Sequence, residues 1–472
     1  MKLNRRTVLR AGVGATLLPL VMHQTALASP PGAGATNVRD YGAVGDGVVD
    51  DTQALQAALA VAQASAQRYL YMPAGIYRVS LTGGRLFDCT AQGLTIAGDG
   101  VGLTTIQVDA TALVSHLRLI FLQAPNQTVR DMSIVFAPGF SGSYDTSAVE
   151  ITTGALRWHV ADMDISGVWG AGSAGGSGVG CYQDATVGGG QQFGICERVH
   201  VHDCPRCSAF GINSNNNTIR QCQAARVGAT TQQHGYYCVS GYNLYQQCYA
   251  EACSGFSFHA HKQNSAADAS GDVYDGCVSV NPGLKHMIVD GTGNPPLTRF
   301  VTVTGCVFRG IAEGIDMRVP ALIEGNIFED VRKQGQNAIV IGAGAGGSIV
   351  RGNYLKNSAG IFLGVPASAE GNTIDSVYGV GAINCAANGT IARGNRITIA
   401  GVAGVQGATG IIANVSNAIV ESNLVNVTAP GTCIIPGQAS IHRSNVLEPR
   451  GGAWTYTIGG NFAGPLGTDV VR

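Results

Sequence analysis

The chain has 472 residues, of which 45% are hydrophobic and only 12% charged, with 67 glycines and a formal net charge of −1. That length and apolar content allow a large buried core, while 29 basic against 30 acidic residues leave no basic stripe and exclude a nucleic-acid partner. No apolar run after the first 28 residues is long enough to span a bilayer, so no membrane anchor is expected.

Residues 1–28 stand apart from the rest. N-R-R-T-V-L-R, from Asn4 to Arg10, is a twin-arginine pattern, followed by the apolar run Ala11 to Met22 and the cleavage signal Ala26-Leu27-Ala28. This predicts a signal peptide cleaved after Ala28 and a periplasmic or secreted mature protein. Cleavage removes four of the 29 basic residues, leaving 25 against 30 acidic ones, so the mature chain is mildly acidic.

Residues 29–80 read as an N-terminal cap and first coil. Asn37 to Tyr41 is predicted as a strand, Gly45-Asp46-Gly47 as a turn, and Asp50 or Asp51 as the N-cap of a helix from Thr52 to Gln67 with the apolar face Leu55, Ala58, Leu59 and Ala62. A strand from Tyr69 to Met72 follows and ends at Pro73-Ala74-Gly75. Beyond the helix, apolar residues no longer recur at helical spacing.

The string N-V-R-D-Y-G-A-V-G-D-G-V-V-D-D-T-Q-A-L-Q (37–56), with Y-M-P-A-G-I-Y-R-V (71–79), closely resembles the opening of the pectate lyase superfamily, including its rhamnogalacturonase-like and epimerase-like members. The resemblance implies an all-β fold: a single-stranded right-handed parallel β-helix (solenoid) with an N-terminal capping helix. It is specific for the fold and not for the reaction. Asp46, Asp50 and Asp51 look like a metal cluster, but they match the structural turn and cap of that family.

The β-helix is assigned to residues 81–448. Cys222, Cys248, Cys277, Cys306, Asn326, Asn353, Asn372, Asn395, Asn423 and Asn445 each follow a short apolar segment, at intervals of 19 to 29 residues. Such repeats bury a core only when stacked, the signature of a solenoid. All 13 cysteines lie beyond the signal. Those on the ladder are expected to face inward as small apolar groups, whereas Cys204 and Cys207 form an isolated C-x-x-C that is either a disulfide or two thiols. Residues 449–472, rich in glycine and lacking a ladder residue, read as a C-terminal cap.

Candidate chemistry lies on the strand after each ladder segment. Alternation sends Ile212, Tyr236, Phe256, Phe258, Met287, Val289, Ile315, Met317, Ile339 and Ile361 inward. The opposite face carries Asn213, Tyr237, His259, His261, Asp290, Asp316 and Arg318, with His234, Lys285 and Glu313 just ahead of their strands. Lys262 and His286 lie beside this group and complete the candidate substrate contacts. Outward positions on a solenoid have no packing reason to gather His, Tyr, Lys and Arg. Trp169 to Gln192, Lys262 to Asp272 and Gly291 to Thr298 interrupt the repeat and are expected to wall a groove suited to an acidic polysaccharide.

The leading expectation is β-elimination. Arg318 or Lys285 would neutralise a uronate carboxylate, His259 or Tyr237 would remove the C5 proton, and His234 or His261 would assist the leaving oxygen, with Asp316 in the same catalytic group. A uronate C5-epimerase shares the first step, and a hydrolase would use Asp290 and Asp316. The polygalacturonase branch is disfavoured, because His234-Gly235 lacks the preceding glycine and no R-I-K follows. A non-catalytic polysaccharide-binding β-helix is the remaining alternative. No cofactor is required; calcium on Asp290, Glu313 and Asp316 is one option, and a transition metal on His259 and His261 lacks an evident third ligand. The oligomeric state is left open.

Overall fold

The structure is a computed structural model that describes residues 34–109, 115–137, 145–152, 154–170, 176–181, 192–261, 271–290, 300–376, 381–399, 408–428, 431–437, 439–451, 454–456 and 468–471. The signal segment, Lys262, and most of each insertion expected to wall the groove fall outside the described residues.

Every strand pairing between coils is parallel, and the strands form one 30-stranded and one 15-stranded sheet. Each mid-chain coil supplies two strands to the larger sheet and one to the smaller. One coil contributes Leu244–Gln246, Tyr249–Glu251 and Phe256–His261, and the next Val273–Asp275, Val278–Val280 and Lys285–Asp290. Stacking these turns buries a continuous core running from Val38 to Leu447, which makes the molecule a parallel β-helix.

The ladder positions lie at the corner between the two strands of the larger sheet. The residue before each adopts positive φ, as at Gly325 (66°), Gly352 (62°), Gly371 (60°) and Gly394 (64°), and this left-handed turn sends the next side chain inward. The recurring G-N pair is therefore a backbone requirement followed by a buried amide. Asn326, Asn353, Asn372, Asn395, Asn423 and Asn445 are all buried and linked head to tail; Asn353, for example, accepts from the Asn326 backbone N–H at 3.0 Å and donates to Asn372 at 3.0 Å. The cysteines extend the same line. Cys196 and Cys222 have their sulfurs 3.7 Å apart, and all 13 thiols are free and buried, Cys204 and Cys207 included.

The N-terminal helix runs from Thr52 to Ala64, shorter than predicted, and buries Leu55, Ala58, Leu59 and Ala62 against the first strands. The segment Val38–Tyr41 is a 3₁₀ turn rather than strand, because Asn37 caps the Arg39 N–H and only Thr36–Asn37 pairs with Tyr69–Met72. The aspartates of this region do structural work. Asp51 accepts from Val44 and Gly45, Asp46 from Val48 and Val49, and Asp50 from Thr52, so the three carboxylates are spent on backbone donors.

Candidate active site

The 15-stranded sheet brings most of the candidate residues together. Its strands Cys207–Ile212, Tyr236–Cys238, Phe256–His261, Lys285–Asp290 and Glu313–Met317 are neighbours in register. Tyr237, His259, Ile288 and Asp316 form one outward column, and His261 faces Asp290 in another. Phe256, Lys285 and Glu313 form a third, with His234 at its head.

Strict alternation fails at one place in each strand. Ser257 and Phe258 are both fully buried, as are His286 and Met287, so each strand turns two consecutive side chains inward before alternation resumes. Two sequence expectations change as a result. Phe256 is not a core residue: its ring lies 5.0 Å from that of His234 and 4.7 Å from that of His259. His286 cannot contact substrate, because it is 0% exposed, packs against Phe308, and pairs through Nδ1 with Ser279 Oγ at 2.7 Å.

The histidine pair is the chemical centre of the patch. His234 Nδ1 accepts the Phe256 backbone N–H at 3.2 Å, and His234 Nε2 lies 3.0 Å from His259 Nδ1. Burial lowers both rings, His234 to about 3 with the charge of His261 adding to it, and His259 to about 2 with the charges of His234 and His261 adding to it, so both are neutral at ordinary pH. A neutral ring carries one proton. Because the backbone donor occupies Nδ1 of His234, its proton is on Nε2 and is donated to His259 Nδ1, leaving the His259 proton on Nε2. His259 is thus fixed as a proton donor, and His234, 4% exposed with both nitrogens engaged, stands behind it as a positioning residue. Tyr237 packs with its ring 5.3 Å from that of His259, and burial raises its phenol, keeping it protonated.

An ion network flanks the pair. Lys285 Nζ lies 2.9 Å from Asp316 and 3.1 Å from Glu313, and Lys333 reaches Glu313 at 2.8 Å. Arg318 bridges Asp316 at 3.3 Å and Asp290 at 3.5 Å. Although burial opposes its charge, Lys285 is raised by Asp316 and Glu313 and stays cationic. Lysine and arginine thus separate the carboxylates of Asp290, Glu313 and Asp316. Among the described residues these three do not converge as the oxygen cage calcium requires, nor do His259 and His261 belong to a metal-ligating group. His261 Nδ1 instead faces Asp290 Oδ2 at 3.8 Å.

Toward the N-terminus the same face opens into a cleft of about 390 Å³ lined by Arg118, Ser147, Glu150, Ser208, Asn213 and Tyr237. Of these, only Asn213 and Tyr237 were legible as candidates. Arg118, Ser147 and Glu150 sit on coils without the ladder pattern, where no repeat marks the outward positions, and Ser208 lies ahead of the Gly211–Asn213 segment on its strand.

Three histidines held neutral set an acid limit on stability. His286 is lowered from 6.5 to about 4 by burial, and His234 and His259 lie lower still. An unfolded chain protonates these groups near pH 6.5 and the folded one does not, so their contribution is whole above that pH and is lost as pH falls below it. For His286 alone the loss by pH 4 is about 3 kcal/mol. Urea midpoints should fall steeply from pH 7 to pH 5, and His286→Gln, which cannot titrate, should flatten the slope.

Comparison with known proteins places residues 35–232 under a family model described as rhamnogalacturonase A/epimerase, pectate lyase-like. The matched stretch ends two residues before His234. Mannuronan C5-epimerase AlgE1 of Azotobacter vinelandii is 46% identical over 74 residues, 15% of this chain and 5% of that protein. Alginate lyase 7 of the same organism is 41% identical over 76 residues, 15% of this chain and 9% of the relative. The chain therefore matches less than a tenth of the length of either protein. Among solved structures, the A-module of mannuronan C-5 epimerase AlgE6 from A. vinelandii covers 92% of this chain and 99% of its own, at 18% identity and a TM-score of 0.44.

Proposed function

From a parallel β-helix whose residues 35–232 are pectate lyase-like, we propose an exported polysaccharide-active enzyme that breaks the C5–H bond of a uronate in an acidic polysaccharide, with β-elimination as the outcome. The observation that carries this reading is the neutral His234–His259 pair with its proton fixed on His259 Nε2, beside the protonated Tyr237 and the cations Lys285 and Arg318.

Proton abstraction at C5 requires three things at once: a cation to take the charge that develops on the carboxylate, a base, and an acid for the glycosidic oxygen. Lys285 and Arg318 supply the cations. Asp316, which contacts both, positions them, so it leaves the catalytic group and joins the supporting one. His261 serves as the base, its Nδ1 directed at Asp290 so that Nε2 is available to take the proton. Tyr237 then protonates the departing oxygen, to which the neutral His259 donates a hydrogen bond from Nε2. Asn213, which lines the cleft, and Glu313, which holds Lys285, complete the site.

A C5-epimerase reading is favoured by a separate observation, the similarity to the mannuronan C5-epimerase AlgE1, while the other relative is an alginate lyase. Both involve uronate C5, and alginate is accordingly the first polymer to try. A hydrolase has less support, because Arg318 lies between Asp290 and Asp316 where inversion needs water and the glycosidic oxygen.

The test uses purified protein on alginate, pectate, rhamnogalacturonan and glycosaminoglycans in deuterated water. Ultraviolet absorbance from an unsaturated uronate establishes elimination, and deuterium at C5 without cleavage establishes epimerisation. New reducing ends with neither signal would overturn C5 chemistry. On the active polymer, Lys285→Met should lower kcat/KM by about 10²-fold, measured from initial rates, because the enolate charge loses its nearest ammonium.

A further inference from the structure

The other sheet carries a second cluster, unconnected with the groove. Asp164 on the strand His159–Ser166 pairs in register with His200 on the strand Ile195–Cys204, and His202 follows two residues later on the same face. His200 Nδ1 lies 3.0 Å from one oxygen of Asp164, and His202 Nε2 lies 3.2 Å from the other. The two imidazoles are stacked, with centroids 4.3 Å apart. All three side chains are between one-fifth and one-quarter exposed, which leaves a path for an ion.

The surroundings give this cluster a direction. His202 Nδ1 lies 2.6 Å from Asp203 Oδ2, and Arg226 holds Asp203 through two hydrogen bonds of 2.6 and 2.7 Å. When the ring carries one proton and gives it from Nδ1 to Asp203, the lone pair of His202 Nε2 faces a carboxylate oxygen of Asp164. Two acceptors at that distance need a cation between them, either a second proton or a metal ion. A carboxylate on the far nitrogen of a ligating histidine is the arrangement that fixes the tautomer at zinc sites. The spacing also suits a metal. Bonds of about 2.0–2.2 Å to nitrogen and oxygen put adjacent ligands about 3 Å apart.

We propose that Asp164, His200 and His202 form a binding site for a divalent transition ion of the zinc class, with Asp203 as its outer support. Such a set has two imidazoles and a carboxylate, with the remaining positions open to water. The ion would tie two successive coils together on either side of the insertion that separates their strands. Nothing in this assignment depends on the chemistry of the groove.

The experiment is titration of chelator-treated full-length protein with Co²⁺, read by visible d–d absorption, and with Zn²⁺, read by calorimetry and thermal unfolding. One ion per chain with a roughly micromolar Kd is expected. His200→Ala and Asp164→Asn should remove the Co²⁺ spectrum, and Asp203→Asn, which keeps all three ligands, should weaken Zn²⁺ binding about 10- to 100-fold. His259→Ala should bind as the unaltered chain does, separating this site from the groove. Circular dichroism identifies any variant that fails to fold, in which case Asp203→Asn decides alone. Absence of a Co²⁺ spectrum and of Zn²⁺ heat in the unaltered chain would overturn the proposal, leaving a protonated ion network. Binding that persists undiminished in His200→Ala and Asp203→Asn would overturn it equally, by placing the ion elsewhere.

Discussion

His259→Ala should reduce turnover on the active polymer by about 10³-fold while leaving the fold intact. The proton of His259 is fixed by a chain of donors that begins at the Phe256 backbone N–H and passes through His234, and that chain ends when the His259 ring is removed. The substitution trims a half-buried side chain from the outer face of the sheet, so thermal unfolding should shift far less than activity. His234→Ala separates orientation from chemistry. Without it His259 keeps a proton to donate but is no longer held to one tautomer, and a loss of about 10- to 100-fold is expected. Initial rates with both variants check the ordering. Equal losses would mean that the two histidines act as a unit, and an unchanged rate in His259→Ala would remove the proposed donor.

Most of the fold was legible because the β-helix repeats a backbone constraint. A left-handed residue must precede each inward amide, so glycine recurs before asparagine at Gly325-Asn326, Gly352-Asn353, Gly371-Asn372 and Gly394-Asn395, and Ser422 and Ser444 take the same conformation before Asn423 and Asn445. The candidate site was legible in part, for the same reason. Tyr237, His259, His261, Asp290, Asp316 and Arg318 fall on outward positions wherever alternation holds, and alternation breaks at the start of each strand. The broken column holds Ala209, Gly235, Ser257, His286, Gly314 and Ala338, mostly small residues that fit a tight approach between coils. A Cβ on Gly235 would meet the Ser257 carbonyl at 2.7 Å, and one on Gly314 would meet that of Ala338 at 1.9 Å. That run of small residues was the missed signal. It would have moved Phe256 outward and His286 inward. The Asp164, His200 and His202 cluster gave no such signal, since Asp164 is 36 residues from His200 and only the stacking of coils brings them together.

Asn395→Ala should cost about 3–5 kcal/mol of stability, far more than an amide-to-methyl change on the surface. The Asn395 side chain accepts from the backbone N–H and the amide of Asn372, both at 3.0 Å, and donates to the Ala369 carbonyl and to Asn423, both at 2.9 Å. Its removal leaves the Asn372 N–H and one Asn372 amide hydrogen without an acceptor in a dry interior. Each orphan costs about 1–3 kcal/mol, and the small cavity adds to this. Asn395→Asp distinguishes hydrogen bonding from packing, since it keeps shape and acceptor but replaces two donor hydrogens by a charge facing the Ala369 carbonyl and Asn423 Oδ1. Relative to the parent at the same pH, its deficit should exceed that of alanine at pH 7 and shrink as acid protonates the carboxyl and restores one donor. Urea denaturation of the three chains at two pH values measures this. A deficit for Asn395→Asp that does not change with pH would mean that the amide is held by packing and that its donors contribute little.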